Sequence, residues 1–335
     1  MLQQTQIATA LPFYQSFIER FPTVEHLADA PEADVLKAWS GLGYYRRARH
    51  LHEAARTVVR DHGGSVPGDE ISFGSLPGVG RYTRGAVLSI AFGTSLPVLD
   101  GNVARVLARW FAKPWSVRDP RGARALWELA AALVPRRSAG DWNQALMELG
   151  ATVCSPRNPR CEACPLRASC AAHAAGTEDR YPPAQRRAAT VKVQRAVVVL
   201  EHEGRWLLVR RSGAVLVGMW EPPGVEIGRT PVRVTLRAEL CRLGVRTTLT
   251  PTAHRVKHRI THHEIEVQVW RGAVSSGATS PGLRRGGITA VASHPAAPAA
   301  DAVLRWVDAH APDVPLTGLT RRLARLLAGG QRRAG

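Results

Sequence analysis

Lysine is scarce in this 335-residue chain. The basic side chains are nearly all arginine, and no lysine stands between Lys37 and Lys113. That gap leaves a long N-terminal stretch without an amine that could form a Schiff base. Long apolar runs are missing too: none reaches the ~20 residues of a membrane-spanning helix. Nothing at the N-terminus resembles a secretory signal, which argues against an oxidising compartment and against disulfides. Alternating strand patterns are absent before residue 190, so the first 150 residues are expected to be helical. Cysteine is rare, at five in the whole chain.

What is present is positive charge and enough apolar residues for two cores. Lys+Arg is 45 against Asp+Glu 27, a formal net charge of +18, and hydrophobic residues make up 45%. This excess suits a polyanionic partner, nucleic acid first. The bland alternative is an arginine-rich codon bias. The length allows two ordinary domains.

Four of the five cysteines fall in one loop. Cys154, Cys161, Cys164 and Cys170 are spaced C-x6-C-x2-C-x5-C, among Pro and Arg. Such a set suits a tetrahedral zinc or a cubane iron–sulfur cluster, with disulfides as a third option. Zinc ribbons usually pair two C-x2-C knuckles across a long gap. Here there is one knuckle and one compact loop, so the spacing favours [4Fe-4S]. Cys241 sits in a helical pattern and is expected to be a buried apolar residue.

A second motif is Leu76-Pro-Gly-Val-Gly-Arg-Tyr-Thr83, a Gly-rich turn before an apolar helix from Gly85 to Phe92. Gly78 and Gly80 permit positive φ and close backbone approach. The amides that open the following helix then form an anion site, suited to a DNA phosphate. A tight helix–helix turn with no ligand would look the same. Next comes Leu99-Asp-Gly-Asn-Val103. Taken alone, Asp100 reads as the N-cap of the following helix.

Residues 171 to about 192 are small, polar and basic, and read as a linker. Strands are expected at 196–200 and 206–209, joined by a Glu-Gly turn, and again near 247–250, 252–258, 264–271 and 304–307. Helices are expected from about Pro231 to Leu243 and from Leu319 to Leu327. Residues 273–300 read as a Gly/Ala/Ser/Pro-rich loop.

The cysteine loop, its approach Asn143–Cys154, the Leu76–Thr83 hairpin and Leu99–Val103 together resemble the helix-hairpin-helix DNA glycosylases that carry an iron–sulfur loop. The second half resembles a Nudix-type α/β domain, as in the adenine-excising (MutY-type) branch of that superfamily. The resemblance implies a multidomain chain. An all-α glycosylase domain would span 1–173, with the hairpin at 76–83 and the cluster loop at 154–170. A linker at 174–192 and a Nudix-like lesion-recognition domain at 193–330 would follow.

It implies base-excision repair: hydrolysis of the bond from sugar to adenine, opposite 8-oxoguanine or guanine, in double-stranded DNA. The implied cofactor is a [4Fe-4S] cluster on the four cysteines. Asp100 matches the catalytic carboxylate. Leu2, Gln3, Gln4 and Thr5 match residues that enter the duplex, and Tyr44, beside Leu42, matches a wedge near the lesion. Gly78, Gly80, Tyr82 and Asn102 belong to the DNA-facing motifs, and Glu148 matches a carboxylate of the adenine pocket. Thr261 and His262, in His258-Arg-Ile-Thr-His262, match a lesion-contacting segment in which an aromatic has become Ile260.

The lyases of the superfamily carry Lys where this chain has Tyr82, so a monofunctional enzyme is expected. A hydrolytic Nudix box needs a pair of Glu where this chain has Cys241 and Arg242. The second half is therefore expected to bind, not hydrolyse. A monomer with no membrane association, in the cytoplasm and at the nucleoid of a bacterium, completes the expectation.

The superfamily places its general acid, a Glu, two residues before the position of Met1. The 335 residues alone are therefore expected to bind DNA weakly with little excision, the start codon being misassigned or the copy inactive.

Overall fold

The computed structural model describes Met1, Thr5 and residues 7–184, 189–212, 216–260, 262–273 and 303–331. Leu2, Gln3, Gln4 and Thr261 lie outside the described residues, as does the expected loop from 274 onward. No described helix is long and apolar enough to cross a membrane.

By internal packing the chain forms two compact units. One combines Met1–Arg56 with Ala188–Gly335, and the other is Thr57–Arg187.

The Thr57–Arg187 unit is helical, as the sequence predicts. It contains α5 (Glu70–Ser75), α6 (Arg81–Phe92), α7 (Gly101–Trp110), α8 (Pro120–Leu133), α9 (Ala139–Thr152) and α10 (Ala171–Ala174). Side-chain caps start three of them. Asp69, Asp100 and Asp119 each accept hydrogen bonds from first-turn amides, which have no partner within their helix. Val103, Val106 and Leu107 of α7 pack with Leu126 and Ala130 of α8 and Leu146 of α9. Each fully buried Val or Leu in this set contributes about 1.5–3 kcal/mol. Gly150 lets α9 approach α7: a Cβ there would lie 2.7 Å from Asn102 Cβ. Cys154 and Leu166 pack against the same core, which anchors the cysteine loop.

The stretch after Cys170 carries regular structure, not only a linker's turns. Ala172 of α10 is fully buried, and Glu178–Arg180 make a turn of 3-10 helix.

The other unit carries α1 (Ile7–Arg20), α2 (Val24–Asp29), α3 (Glu32–Ala38) and the start of α4 (Arg46–His62), as well as a seven-stranded mixed sheet. Its strands are β1 (Val191–His202), β2 (Arg205–Arg210), β3 (Trp220–Glu221), β4 (Gly224–Glu226), β5 (Thr248–Ile260), β6 (His263–Ala273) and β7 (Leu304–Val307). The order is β3-β2-β1-β6-β5, with β4 beside β1 and β7 beside β2. The turn between β1 and β2 is the expected Glu203-Gly204 pair, both at positive φ.

Two helices cover the sheet, α11 (Val232–Arg242) and α12 (Gly318–Gln331). Alternation along β1 sorts the cores. Val197 and Val199 pack with α12, whereas Ala196, Val198 and Leu200 pack with α11.

Two expectations need correction. Cys241 is exposed. The buried face of α11 is Leu236 and Leu240, and Cys241 follows Leu240 by one residue, about 100° around the helix. The strands expected at 247–250 and 252–258 are one strand, β5. It continues through Pro251 because the register against β6 shifts between Pro251 and Arg255. The two short strands β3 and β4 had no sequence signal of their own.

Candidate functional site

Of the two hairpin glycines only Gly78 needs its conformational freedom; Gly80 is extended, at φ −92°, with no atom beyond its chain neighbours within 4 Å of where a Cβ would stand. Leu76 is buried and closes α5, Val79 N–H donates to Leu76 O at 3.1 Å, and Gly78 has φ +78°. Gly80 caps α6 without a side chain, so the opening amides of α6 carry no side-chain cap. Arg81, the first residue of α6, stacks on Trp127 at 4.0 Å.

Asp100 is an N-cap and more. Its Oδ1 accepts from the Asn102 and Val103 amides at 2.8 and 2.7 Å, and its Oδ2 accepts from Asn102 Nδ2 at 3.3 Å. Both carboxylate oxygens are therefore held in one orientation at the end of α7. Tyr82, half-buried on α6, is in range of this charge. Burial, with Asp100 adding to it, pushes the Tyr82 phenol above its ordinary value. Tyr82 Oη contacts Met147 Sδ at 3.6 Å. Glu148, one residue on, is exposed on α9.

From Asp100 a run of polar contacts leads along α7 to the cysteine loop. Arg105 Nη2 donates to Asn102 Oδ1 at 2.9 Å and to Gly150 O at 2.7 Å, and Arg105 Nε donates to Cys154 O at 2.8 Å. One turn further, Arg109 is 3% exposed. It donates to the carbonyls of Ser155, Pro156, Glu178 and Tyr181, and to Cys154 Sγ at 3.4 Å. The sequence reading missed both arginines. Their signal was the polar series Asn102, Arg105, Arg109 at helical spacing on an otherwise apolar helix.

Cys154, Cys161, Cys164 and Cys170 line one small cavity, and none is in a disulfide. Arg109, Arg160 and Arg167 line it too. Four thiols in a cationic setting fit a thiolate-ligated metal group, whose charge the arginines offset. Burial, and next the Glu178 carboxylate, push the Cys161 thiol up to about 11, and burial also raises Cys164. Metal binding must displace these protons, because the thiolate is the ligand.

In the other unit, Leu42 is buried and Tyr44 is 52% exposed. Tyr44 has φ +50°, a left-handed conformation rare for an aromatic residue. Arg47 lies over its ring at 5.2 Å and donates to Thr5 Oγ1 at 3.1 Å and Met1 O at 3.0 Å.

His262, at the β5–β6 turn, is exposed, its ring 4.2 Å from that of His263. Beside that turn is a cavity of about 510 Å³, lined in part by His258, Ile260 and His263 and by Glu221, Arg195 and Arg211. Glu221 is buried and paired with both arginines. On α11, Glu239 is tied to Arg242 through Nε–Oε2 at 2.8 Å and Nη2–Oε1 at 2.6 Å. Glu239, which falls at none of the Glu positions of the Nudix box, is thus engaged by Arg242.

Comparison with known proteins agrees with both halves. Residues 1–132 match the profile of the HhH-GPD superfamily base excision DNA repair proteins, and residues 195–325 match a NUDIX domain. The adenine DNA glycosylase of Rattus norvegicus is 35% identical over 338 residues, covering 85% of this chain and 65% of the rat protein. That of Homo sapiens is 37% identical over 321 residues, covering 81% of this chain and 59% of the human protein. Among solved structures, a thermostable thymine-DNA glycosylase is 34% identical, with a TM-score of 0.47, over 52% of this chain and 80% of its own. The chain spans somewhat under two thirds of the length of the rat and human relatives.

Proposed function

Since the chain belongs to the HhH-GPD superfamily of base excision DNA repair proteins, we propose that it serves adenine excision from DNA mismatches. The substrate is adenine opposite 8-oxoguanine or guanine in double-stranded DNA, and the reaction is hydrolysis of the glycosidic bond without lyase chemistry. The organisation proposed is a glycosylase domain over 1–173, a linker over 174–192 and a lesion-recognition domain over 193–330. The observation that carries the reading is Asp100, a carboxylate fixed by three hydrogen bonds at the head of α7.

Cleavage develops positive charge on the deoxyribose, and a fixed carboxylate beside it stabilises that charge most in the transition state. The hairpin holds a phosphate through Gly78, Gly80 and the amides opening α6. The adenine must leave the stack. Tyr82, Asn102 and Glu148 border its path on α6, α7 and α9. Leu2, Gln3, Gln4 and Thr5 enter the duplex, with Leu42 and Tyr44 beside the lesion. Thr261 and His262 contact the oxidised base.

Cys154, Cys161, Cys164 and Cys170 would hold a [4Fe-4S] cluster. When bound, it ties four points of the 154–170 loop together and fixes that loop's arginines for contact with DNA. Tyr82 supports the monofunctional reading, because a phenol cannot form the Schiff base of a lyase.

The test uses two duplexes with 8-oxoguanine opposite a sugar mimic. One mimic is a protonated pyrrolidine, cationic like the transition state, and the other is a neutral tetrahydrofuran. The native chain is expected to prefer the cationic mimic, and Asp100→Asn to lose that preference by on the order of tenfold or more. Equal binding of the two mimics by the native chain would falsify the role given to Asp100.

A further inference from the structure

The cysteine cavity has more ligand atoms than a four-thiolate cluster uses. His173 and Glu178 line the same cavity. Cys161 Sγ, one His173 ring nitrogen and one Glu178 carboxylate oxygen all lie within 4.8 Å of one another. Cys161 Sγ is 3.6 Å from Glu178 Oε1, and His173 Nδ1 is 2.7 Å from that oxygen. Arg167 Nε donates to His173 Nε2 at 3.3 Å.

These contacts fix the roles of the pair. Nε2 accepts from Arg167, so the proton of a neutral imidazole is on Nδ1 and is donated to Glu178. His173 is therefore a positioning residue, and the Glu178 carboxylate, which accepts from the Cys161 thiol, is the ligand group that faces Cys161. Arg109 holds the backbone of this segment through Glu178 O at 2.9 Å, so Glu178 does not swing with a loose chain.

We propose that Glu178 is a reserve ligand for the iron held by Cys161. The proposal rests on the cluster reading above. If the Cys161 sulfur is lost, the Glu178 carboxylate moves in and binds that iron. One monoanion replaces another, so the charge of the ligated cluster is unchanged and no electron is transferred. The exchange belongs to the Cys161 position alone, because Glu178 contacts no other cysteine sulfur among the described residues. Carboxylate is a harder ligand than thiolate, so the substituted cluster has one iron unlike the other three.

The experiment compares the full chain with Cys161→Ala, Cys164→Ala, Glu178→Gln and the double variant Cys161→Ala/Glu178→Gln, all purified without oxygen. Iron and acid-labile sulfide are counted per chain, and absorbance is read near ~400 nm, where cluster colour appears. Cys161→Ala is expected to keep most of its iron, whereas Cys164→Ala and the double variant lose theirs. Equal loss in Cys161→Ala and Cys164→Ala overturns the proposal, as does retention by the double variant.

A second measurement does not depend on the cysteine variants folding. Glu178→Gln keeps the side-chain shape but is a poor ligand. It is expected to release iron to a chelator roughly tenfold faster than the native chain, and an unchanged rate counts against the proposal. A native chain that holds no iron removes the cluster reading itself. Failure of Glu178 alone leaves the native iron content intact, so the two failures are distinguishable.

Discussion

Arg109 Nη1 donates a hydrogen bond to the sulfur of Cys154 at 3.4 Å, from a guanidinium that is almost wholly buried. The same side chain satisfies four carbonyls on both sides of the cysteine loop. Its removal leaves four part-buried carbonyls without this donor, at about 1–3 kcal/mol for each that water cannot reach. Arg109→Met is expected to lower both the thermal midpoint and the iron content. Arg109→Lys is expected to rescue little, because an ammonium cannot span the same fork of acceptors. Melting followed by circular dichroism and iron assay of both variants measures this.

Gly78 sets the hairpin turn at φ +78°. Ala at that position costs roughly 1–2 kcal/mol of local strain and tilts the amides that open α6. Gly78→Ala is expected to weaken binding to any duplex and to reduce the salt dependence of binding by about one phosphate contact. Titrations at several salt concentrations, on matched and mismatched duplexes, give the slope. A loss confined to one mismatch would contradict a phosphate role.

On the monofunctional reading proposed above, Tyr82 takes the position at which a lyase would carry an amine. Burial and the Asp100 charge raise its phenol, so it remains neutral at physiological pH. The native chain is expected to give no borohydride-trapped adduct with abasic DNA, and Tyr82→Lys to gain one. A native adduct would show that another amine reaches the sugar.

His52 is 3% exposed on α4, and its Nε2 is buried without a hydrogen-bond partner. Burial first, and Arg56 second, lower its pKa from the ordinary value of 6.5. The folded state therefore holds the neutral ring, while the unfolded chain takes up a proton near 6.5. The stabilisation is complete above that value and is lost as pH falls through the lower folded value. His52→Leu is expected to flatten the decline in stability on the acid side of 6.5. Urea midpoints measured from pH 5 to 8 test it, and an unchanged slope would remove His52 as its source.

The parts of this protein legible in its sequence were those set by local spacing. The cysteine loop, the Gly78–Gly80 turn, the cap at Asp100 and the helices before residue 150 each depend on residues a few positions apart. The hairpin at Glu203-Gly204 was legible for the same reason. What escaped depends on distant partners. Trp220–Glu221 is a strand because Val209 and Arg210 pair with it on one side and Leu316 bridges to Trp220. Pro251 sits inside β5 because β5 is an edge strand whose register shifts just after it. The local sequence does not reveal the partners of Arg109, because Glu178 and Tyr181 lie about seventy residues later. The segment after Cys170 has a linker's composition, yet its Glu178 and Tyr181 carbonyls accept from the arginine that reaches Cys154.

The parallel pairing of β1 with β6 also matters while the chain is being made. Val191 to Leu200 face His263 to Gly272, about seventy residues downstream. At roughly 5–20 residues per second, the ribosome delivers β6 some 4–15 s after β1. During that interval the run Ala196-Val-Val-Val-Leu200 has left the tunnel with one long edge unmatched. A nascent chain halted near residue 250 is therefore the form most prone to capture by a chaperone or to aggregation.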